Sequence, residues 1–206
     1  AAEGRRVGVY KPVASGCRRE SDGPVSDDAL ALWTAAGRPA AIERVCPQMF
    51  EAPLAPHLAA RAEGKRADPN RLREGLNFWR ESSEFVVVEG AGGLMSPMSD
   101  DDYCADLAAD FALPLVVVSP NVLGTINQTL QTLIVAATYG EGLEIAGIVL
   151  NRNRPAEDDA SVATNRRELT ARCVPPVLAE VGWQREKFDS QVDWWSLGGT
   201  CFPSDE

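Results

Sequence analysis

Four short apolar runs punctuate this chain, at residues 7–10, 85–89, 115–119 and 146–150. Each is rich in valine, isoleucine or leucine and too short for an independent helix. Each lacks the alternation of a half-exposed strand, so each reads as a strand buried on both faces. Stretches with helical spacing separate them, and that alternation predicts a parallel sheet with helices on both faces. The intervals carry their own start and stop signals. Ser26-Asp27-Asp28 offers a cap and two acids, Leu30 and Trp33 continue an apolar face, and Gly37 can end it. Asp68-Pro69 opens a helix to about Arg80. The acids at 100–102 favour the start of a helix over 103–111. Thr125-Ile126-Asn127-Gln128 fits a capping box, with Gly140 closing that helix. Asp159 is expected to cap a last helix to Arg172.

The ends are patterned differently. Ala1-Ala2-Glu3-Gly4 reads as the end of a helix with Gly4 as its stop. We therefore expect a strand, a turn and most of a helix to precede Ala1. The stretch 47–56 holds three prolines and predicts an irregular segment. Beyond Val181 the pattern weakens, and Trp194-Trp195 is expected to cover a hydrophobic edge. The expectation for 1–206 is a single α/β domain whose residues 185–206 form a weakly patterned tail.

Composition narrows the chemistry. The chain has 206 residues, 45% apolar and 24% charged, as in ordinary globular proteins. Its net charge of −10 argues against nucleic acid or an anionic membrane as the main partner. No apolar run approaches the ~20 residues that cross a bilayer, and no signal peptide is visible. The five cysteines form no Cys-x-x-Cys pair. They read as small buried side chains in a reduced, cytoplasmic setting. The single histidine, His57, excludes a zinc site built on several imidazoles and reads as structural.

Candidate chemistry gathers where strands end. The run Val86-Val87-Val88 closes on Glu89 and dissolves into Gly90-Ala91-Gly92-Gly93. Open α/β sheets hold ligands at such carboxyl ends. A carboxylate beside bare backbone amides suits Mg2+ and phosphate oxygens, although a tight turn with a solvated Glu gives the same letters. Lys11-Pro12-Val13-Ala14-Ser15-Gly16 follows the first strand. Its ammonium can neutralise a phosphate or carboxylate, or simply lie in water. Asp28 either serves its helix dipole or shares a metal with Glu89. Asn127 sits at a helix start and can meet a carboxylate or cap the helix. Asn151 ends a strand and can read a base edge by its amide or serve as a turn residue.

Taken together, Lys11-Pro-Val-Ala-Ser-Gly16, Ser26-Asp-Asp-Ala-Leu-Ala-Leu, Phe50…Pro53…Pro56-His57, Val88-Glu-Gly-Ala-Gly-Gly and Gly124-Thr-Ile-Asn127 resemble the dethiobiotin synthetase family, in its order and at similar spacing. The resemblance runs from about residue 5 to about 184. It implies a P-loop NTPase-like fold and a homodimer that joins CO2 to 7,8-diaminononanoate at the expense of ATP. By the same resemblance, Lys11 lies near the carbamate and γ-phosphate, and Ser15 touches the diamine. Asp28 and Glu89 serve Mg2+ and the nucleotide, and Gly90, Ala91 and Gly92 line the nucleotide. Asn151 meets adenine with Gly182, Trp183 and Gln184, and Asn127 reaches substrate across the dimer interface. Two features depart from the family. Its glycine-rich phosphate loop ending in Gly-Lys-Thr is not in this sequence and is expected upstream of Ala1. Without that loop, the first strand and most of the first helix, the polypeptide as written is expected to fold poorly and not to turn over ATP. Glu180-Val-Gly-Trp-Gln184 also has glycine where the family often has proline. The rival readings are a related amidotransferase-type synthetase domain, the P-loop-like regulatory domain of a phosphotransacetylase, and a non-catalytic homodimeric module.

Overall fold

The computed structural model describes residues 4–155 and 159–198. They fall into two compact units, one running to Phe111 and one starting at Ala112. The helix end expected at residues 1–3 lies outside the described residues. Gly4 has a φ of 76°, the left-handed conformation of a helix stop.

In the first unit, β1 (Val7–Tyr10) pairs in parallel with β4 (Phe85–Val88), with Tyr10 opposite Val88. Three helices lie between them before the long helix: α1 (Asp27–Ala35), α2 (Ile42–Val45) and α3 (Pro56–Ala62). Ser26 caps α1 by accepting the Ala29 N–H at 3.2 Å, as its sequence predicts. Helix α4 (Pro69–Ser82) starts at the Asp68 cap, whose carboxylate accepts the Asn70 N–H at 2.9 Å. This helix lies against β1. The buried Tyr10 hydroxyl donates to the carbonyls of Leu72 and Arg71 at 2.9 and 3.0 Å. Its ring stands so close to α4 that a Cβ at Gly75 would come within 2.3 Å of the hydroxyl oxygen. Leu72, Leu76 and Trp79 complete that buried face.

Three readings of this unit need amendment. An antiparallel ribbon, β2 (Arg18–Glu20) with β3 (Gly23–Val25), was not legible. All three β2 residues are exposed, so no apolar pattern marks it. The last helix of the unit, α5 (Cys104–Phe111), begins one residue later than predicted. The acids before it serve arginines rather than its dipole. Asp100 pairs with Arg61 at 2.7 Å and Arg66 at 3.0 Å, and Asp102 pairs with Arg73 at 2.7 Å. Guanidinium groups within hydrogen-bond reach outweigh a half-charge at a helix end.

In the second unit, β5 (Leu115–Pro120), β6 (Ile145–Asn151) and β7 (Val177–Val181) form a parallel sheet in that order. The strand β7 was not predicted. It follows Pro175-Pro176, which reads as a loop signal. Helix α6 (Thr125–Thr138) returns from β5, and α7 (Val162–Arg172) joins β6 to β7. The capping box expected at Thr125 is absent. Gly124 occupies the cap position with a φ of 97°, and Thr125 is the first helical residue, fully buried. At α7 the cap position belongs to Ser161 rather than Asp159, whose Oδ1 accepts the Ser161 N–H at 3.0 Å. In the tail, α8 (Trp194–Leu197) sets the Trp194 ring 5.0 Å from Phe188, and Trp195 is half-exposed. The parallel strands flanked by helices are those of the α/β class, and their pairing falls into two sheets, one in each unit. No helix among the described residues is long and apolar enough to cross a membrane.

Candidate functional site

Lys11 is the residue immediately after β1, and Glu89 is the residue immediately after β4. Because the strands are parallel and in register, both leave the sheet at its carboxyl edge. The Glu89 N–H donates to the Tyr10 carbonyl at 2.9 Å, which carries the pairing to the last residue before the loop. The Lys11 N–H is fixed in turn by the Val45 carbonyl at 2.8 Å. Residues 14–17 are strapped to 48–52 by further main-chain bonds, among them Ala14 to Gln48 and Gly16 to Ala52. Ser15 lies half-buried within that strapped loop.

The Lys11 side chain is 3% exposed, and its Nζ meets three acceptors. It lies 2.9 Å from Glu89 Oε1, 3.2 Å from Asp28 Oδ2 and 3.1 Å from the Gly90 carbonyl. Burial draws the ammonium's pKa down, but the hydrogen bond and charge of Glu89, with those of Asp28, outweigh it. The net direction is up from the ordinary lysine value. The group is therefore a fixed cation rather than a base. Asp28 and Glu89 expose much of their carboxylates beyond the ammonium. Two carboxylates reached by one cation are a suitable donor set for Mg2+, whose shell phosphates and water would complete. Among the described residues no group of three or more His, Cys, Asp or Glu side chains converges. His57 is the second residue of α3, and its buried Nδ1 has no hydrogen-bond partner.

The glycines after Glu89 have nearer reasons than a ligand. A Cβ on Gly90 would stand 2.6 Å from the Cys104 sulfur. Gly92 has a φ of 76°, and a Cβ there would meet Ser96 Oγ at 2.3 Å. The Gly93 N–H donates to that same hydroxyl at 2.8 Å. Close approach is thus the reason for glycine at 90 and 92, and the approaching groups are the protein's own. Ala91 lies between them, half-buried. Cys17, Cys46, Cys104 and Cys173 are free thiols. Burial pushes Cys46 up to about 12, so it remains a protonated core side chain.

The second unit carries the other candidates, also at a carboxyl edge. Asn151 is the last residue of β6 and is exposed. Its carbonyl accepts the Asn121 N–H at 2.7 Å, and the next N–H, of Arg152, donates to Val181 at 2.9 Å. Gly182, Trp183 and Gln184 follow β7, with Trp183 41% exposed and Gln184 at a φ of 52°. Asn127 is the third residue of α6 and is exposed. Lys11, Asp28, Glu89 and Gly90 therefore meet in one unit, while Asn151 and Gly182–Gln184 lie at the sheet edge of the other, with Asn127 on α6. Sequence reasoning passed over Asn121, Arg152 and Glu180, which join the ends of β5, β6 and β7. An acid two residues before the flagged Gly182, on an apolar run, was the available signal.

A family profile described as "AAA domain" matches residues 1–188. The ATP-dependent dethiobiotin synthetase BioD of Rhodopirellula baltica is 43% identical over 189 residues, covering 86% of this chain and 73% of that protein. The protein of the same name from Anaeromyxobacter dehalogenans is 45% identical over 157 residues, covering 76% and 69%. That of Bacillus subtilis is 37% identical over 179 residues, covering 84% and 73%. On these matches, the chain belongs to the ATP-dependent dethiobiotin synthetase family.

Proposed function

We propose that this protein closes the ring of dethiobiotin from 7,8-diaminononanoate and CO2 with ATP and Mg2+, as a cytoplasmic homodimer. The single observation that carries the reading is the buried Lys11 ammonium between Asp28 and Glu89 at 3.2 and 2.9 Å. In this reaction one substrate amine takes up CO2 as a carbamate. A carbamate oxygen attacks the γ-phosphorus, and ADP leaves. The second amine attacks the carbonyl carbon of the mixed anhydride, phosphate leaves and the urea closes. Little covalent work falls to the protein, so placement and charge neutralisation dominate.

Lys11 would supply a permanent positive charge to the carbamate and γ-phosphoryl oxygens. Asp28 and Glu89 would hold Mg2+, which when bound neutralises phosphate oxygens. Ser15 would donate to the diamine, and Gly90 to Gly92 would run along the nucleotide. Asn127 would reach the substrate of the partner subunit. Asn151 would read the adenine edge, with Gly182, Trp183 and Gln184 beside it.

The test is dethiobiotin formation by the protein expressed from its own start codon, given diamine, bicarbonate, ATP and Mg2+. Lys11→Ala is expected to retain the fold by circular dichroism and to lose turnover by about a thousandfold or more. Absence of product from the wild type would refute the reaction. Near-normal turnover in the variant would refute the role of Lys11.

A further inference from the structure

Three strands of the second unit end in a cluster that none of the expected ligand contacts uses. Its centre is one oxygen. Glu180 Oε1, on the penultimate residue of β7, accepts Asn121 Nδ2 at 3.0 Å and Arg152 Nε at 2.5 Å. Asn121 directly follows β5, Arg152 directly follows β6, and Glu180 belongs to β7, so this oxygen joins the carboxyl ends of all three strands. Asn121 is 1% exposed, and the Glu180 side chain is 13% exposed. The other side of the Asn121 amide is also engaged, because Oδ1 accepts Asn165 Nδ2 of α7 at 2.8 Å. Main-chain bonds repeat the connection from Asn121 to the Asn151 carbonyl and from Arg152 to the Val181 carbonyl.

We propose that Glu180, with Asn121, is a positioning residue for the nucleotide. Its carboxylate clasps three strand ends into the platform from which Asn151 and Gly182–Gln184 meet a purine base. The clasp acts through those residues and touches no ligand itself. Its physical content is preorganisation. Asn151 is the residue between the Leu150 strand interior and the clasped Arg152, and Gly182 lies two residues beyond Glu180. Freeing any strand end would let these contacts wander, and ordering them would then draw on binding energy. Asn127 lies on α6, past the left-handed Gly124, and is less directly tethered. The diamine should therefore feel the clasp less than the nucleotide does.

This inference rests on the proposed use of ATP, and the experiment separates the two. ATP and diamine are titrated calorimetrically and kinetically with the protein expressed from its own start codon, wild type, E180Q and N121S. E180Q keeps an acceptor for Asn121 but removes the charge that holds Arg152. It is expected to raise the KM and Kd for ATP about tenfold, with kcat and the diamine KM within about twofold of wild type. N121S keeps the Glu180–Arg152 pair and opens one arm, with an expected rise of about threefold. The conservative E180D should recover part of the ATP affinity. A purely structural clasp would lower the melting temperature and leave the ATP constants unchanged, and that result would overturn the proposal. Failure of both E180Q and N121S to fold would overturn it as well. A wild type that binds ATP but makes no dethiobiotin would sink the proposed reaction alone, because the Kd comparison still reads the clasp. A wild type that binds no nucleotide would sink both.

Discussion

At the scale of single residues, glycine at position 90 shows how a sequence signal can be right for a reason other than the first one suggested. The letters Gly-Ala-Gly-Gly promised bare backbone for a ligand. The structure places the Cys104 thiol where the Gly90 side chain would be. Gly90→Ala is therefore expected to destabilise the protein by about 1–3 kcal/mol, the usual cost of overpacking a tight contact. Cys104→Ala removes the obstructing sulfur, so the double variant should melt close to Cys104→Ala alone. Chemical denaturation of the four proteins checks this, and additive effects would mean that the two atoms do not meet. Lys11, Asp28 and Glu89 were legible one by one because each stands at a strand end or a helix start. That Asp28 and Glu89 share one place was readable from their positions, but that Lys11 joins them there was readable only through the family resemblance. The pairing of Glu180 with Asn121 was not legible. The two are 59 residues apart in sequence, and neither type is unusual at its own position.

At the scale of elements, the strands that bury apolar runs were the easy ones. β1 was read to its exact bounds, and the ends of β4, β5 and β6 moved by one residue, as helix and strand ends do between any two criteria. The ribbon of β2 and β3 was hidden because polar, exposed strands carry no periodic signal. Helix caps were readable where one side chain suffices, as at Ser26 and Asp68. They were misread where the backbone supplies the cap, as at Gly124, or where arginines compete for the acids, as at 100–102. The last case makes a pH prediction. Burial pulls the Asp102 carboxyl upward, but the Arg73 guanidinium and the Ser99 hydroxyl outweigh it, and its pKa lies below the usual 3.8. A depressed carboxyl contributes stability above its unfolded value and loses it as pH falls through the folded one. Asp102→Asn should thus cost about 1–3 kcal/mol at pH 7, with the difference from wild type shrinking at an acid pH below the folded pKa. Urea unfolding at both pH values measures it, and a penalty that persists in acid would assign it to packing.

At the scale of the whole molecule, a chain of net charge −10 is proposed to hold a polyanion. The global field opposes that ligand, so local neutralisation has to be complete. Lys11 is one positive charge facing two acids, and the balance at that place is negative until a divalent cation arrives. MgATP at a hundredfold excess over its Kd is expected to raise the melting temperature of the protein expressed from its own start codon by roughly 5–10 °C. ATP with a chelator should give a much smaller shift. Equal shifts with and without Mg2+ would remove Asp28 and Glu89 from metal binding. The α/β class was legible from alternation alone, since buried parallel strands and amphipathic helices leave different periods. The division of the strands into two sheets was not, because pairing depends on which edges meet and not on how each strand is written.

The engaged ammonium of Lys11 has one more consequence. An enzyme that handles CO2 near a lysine risks spending the gas on itself, because an uncharged lysine amine forms a carbamate as readily as a substrate amine does. A lone pair already committed to a proton, and held there by two carboxylates, has nothing to offer the gas. In the proposed reaction the same contacts that make Lys11 a good counter-charge would also protect it from self-carbamylation, leaving the diamine as the acceptor.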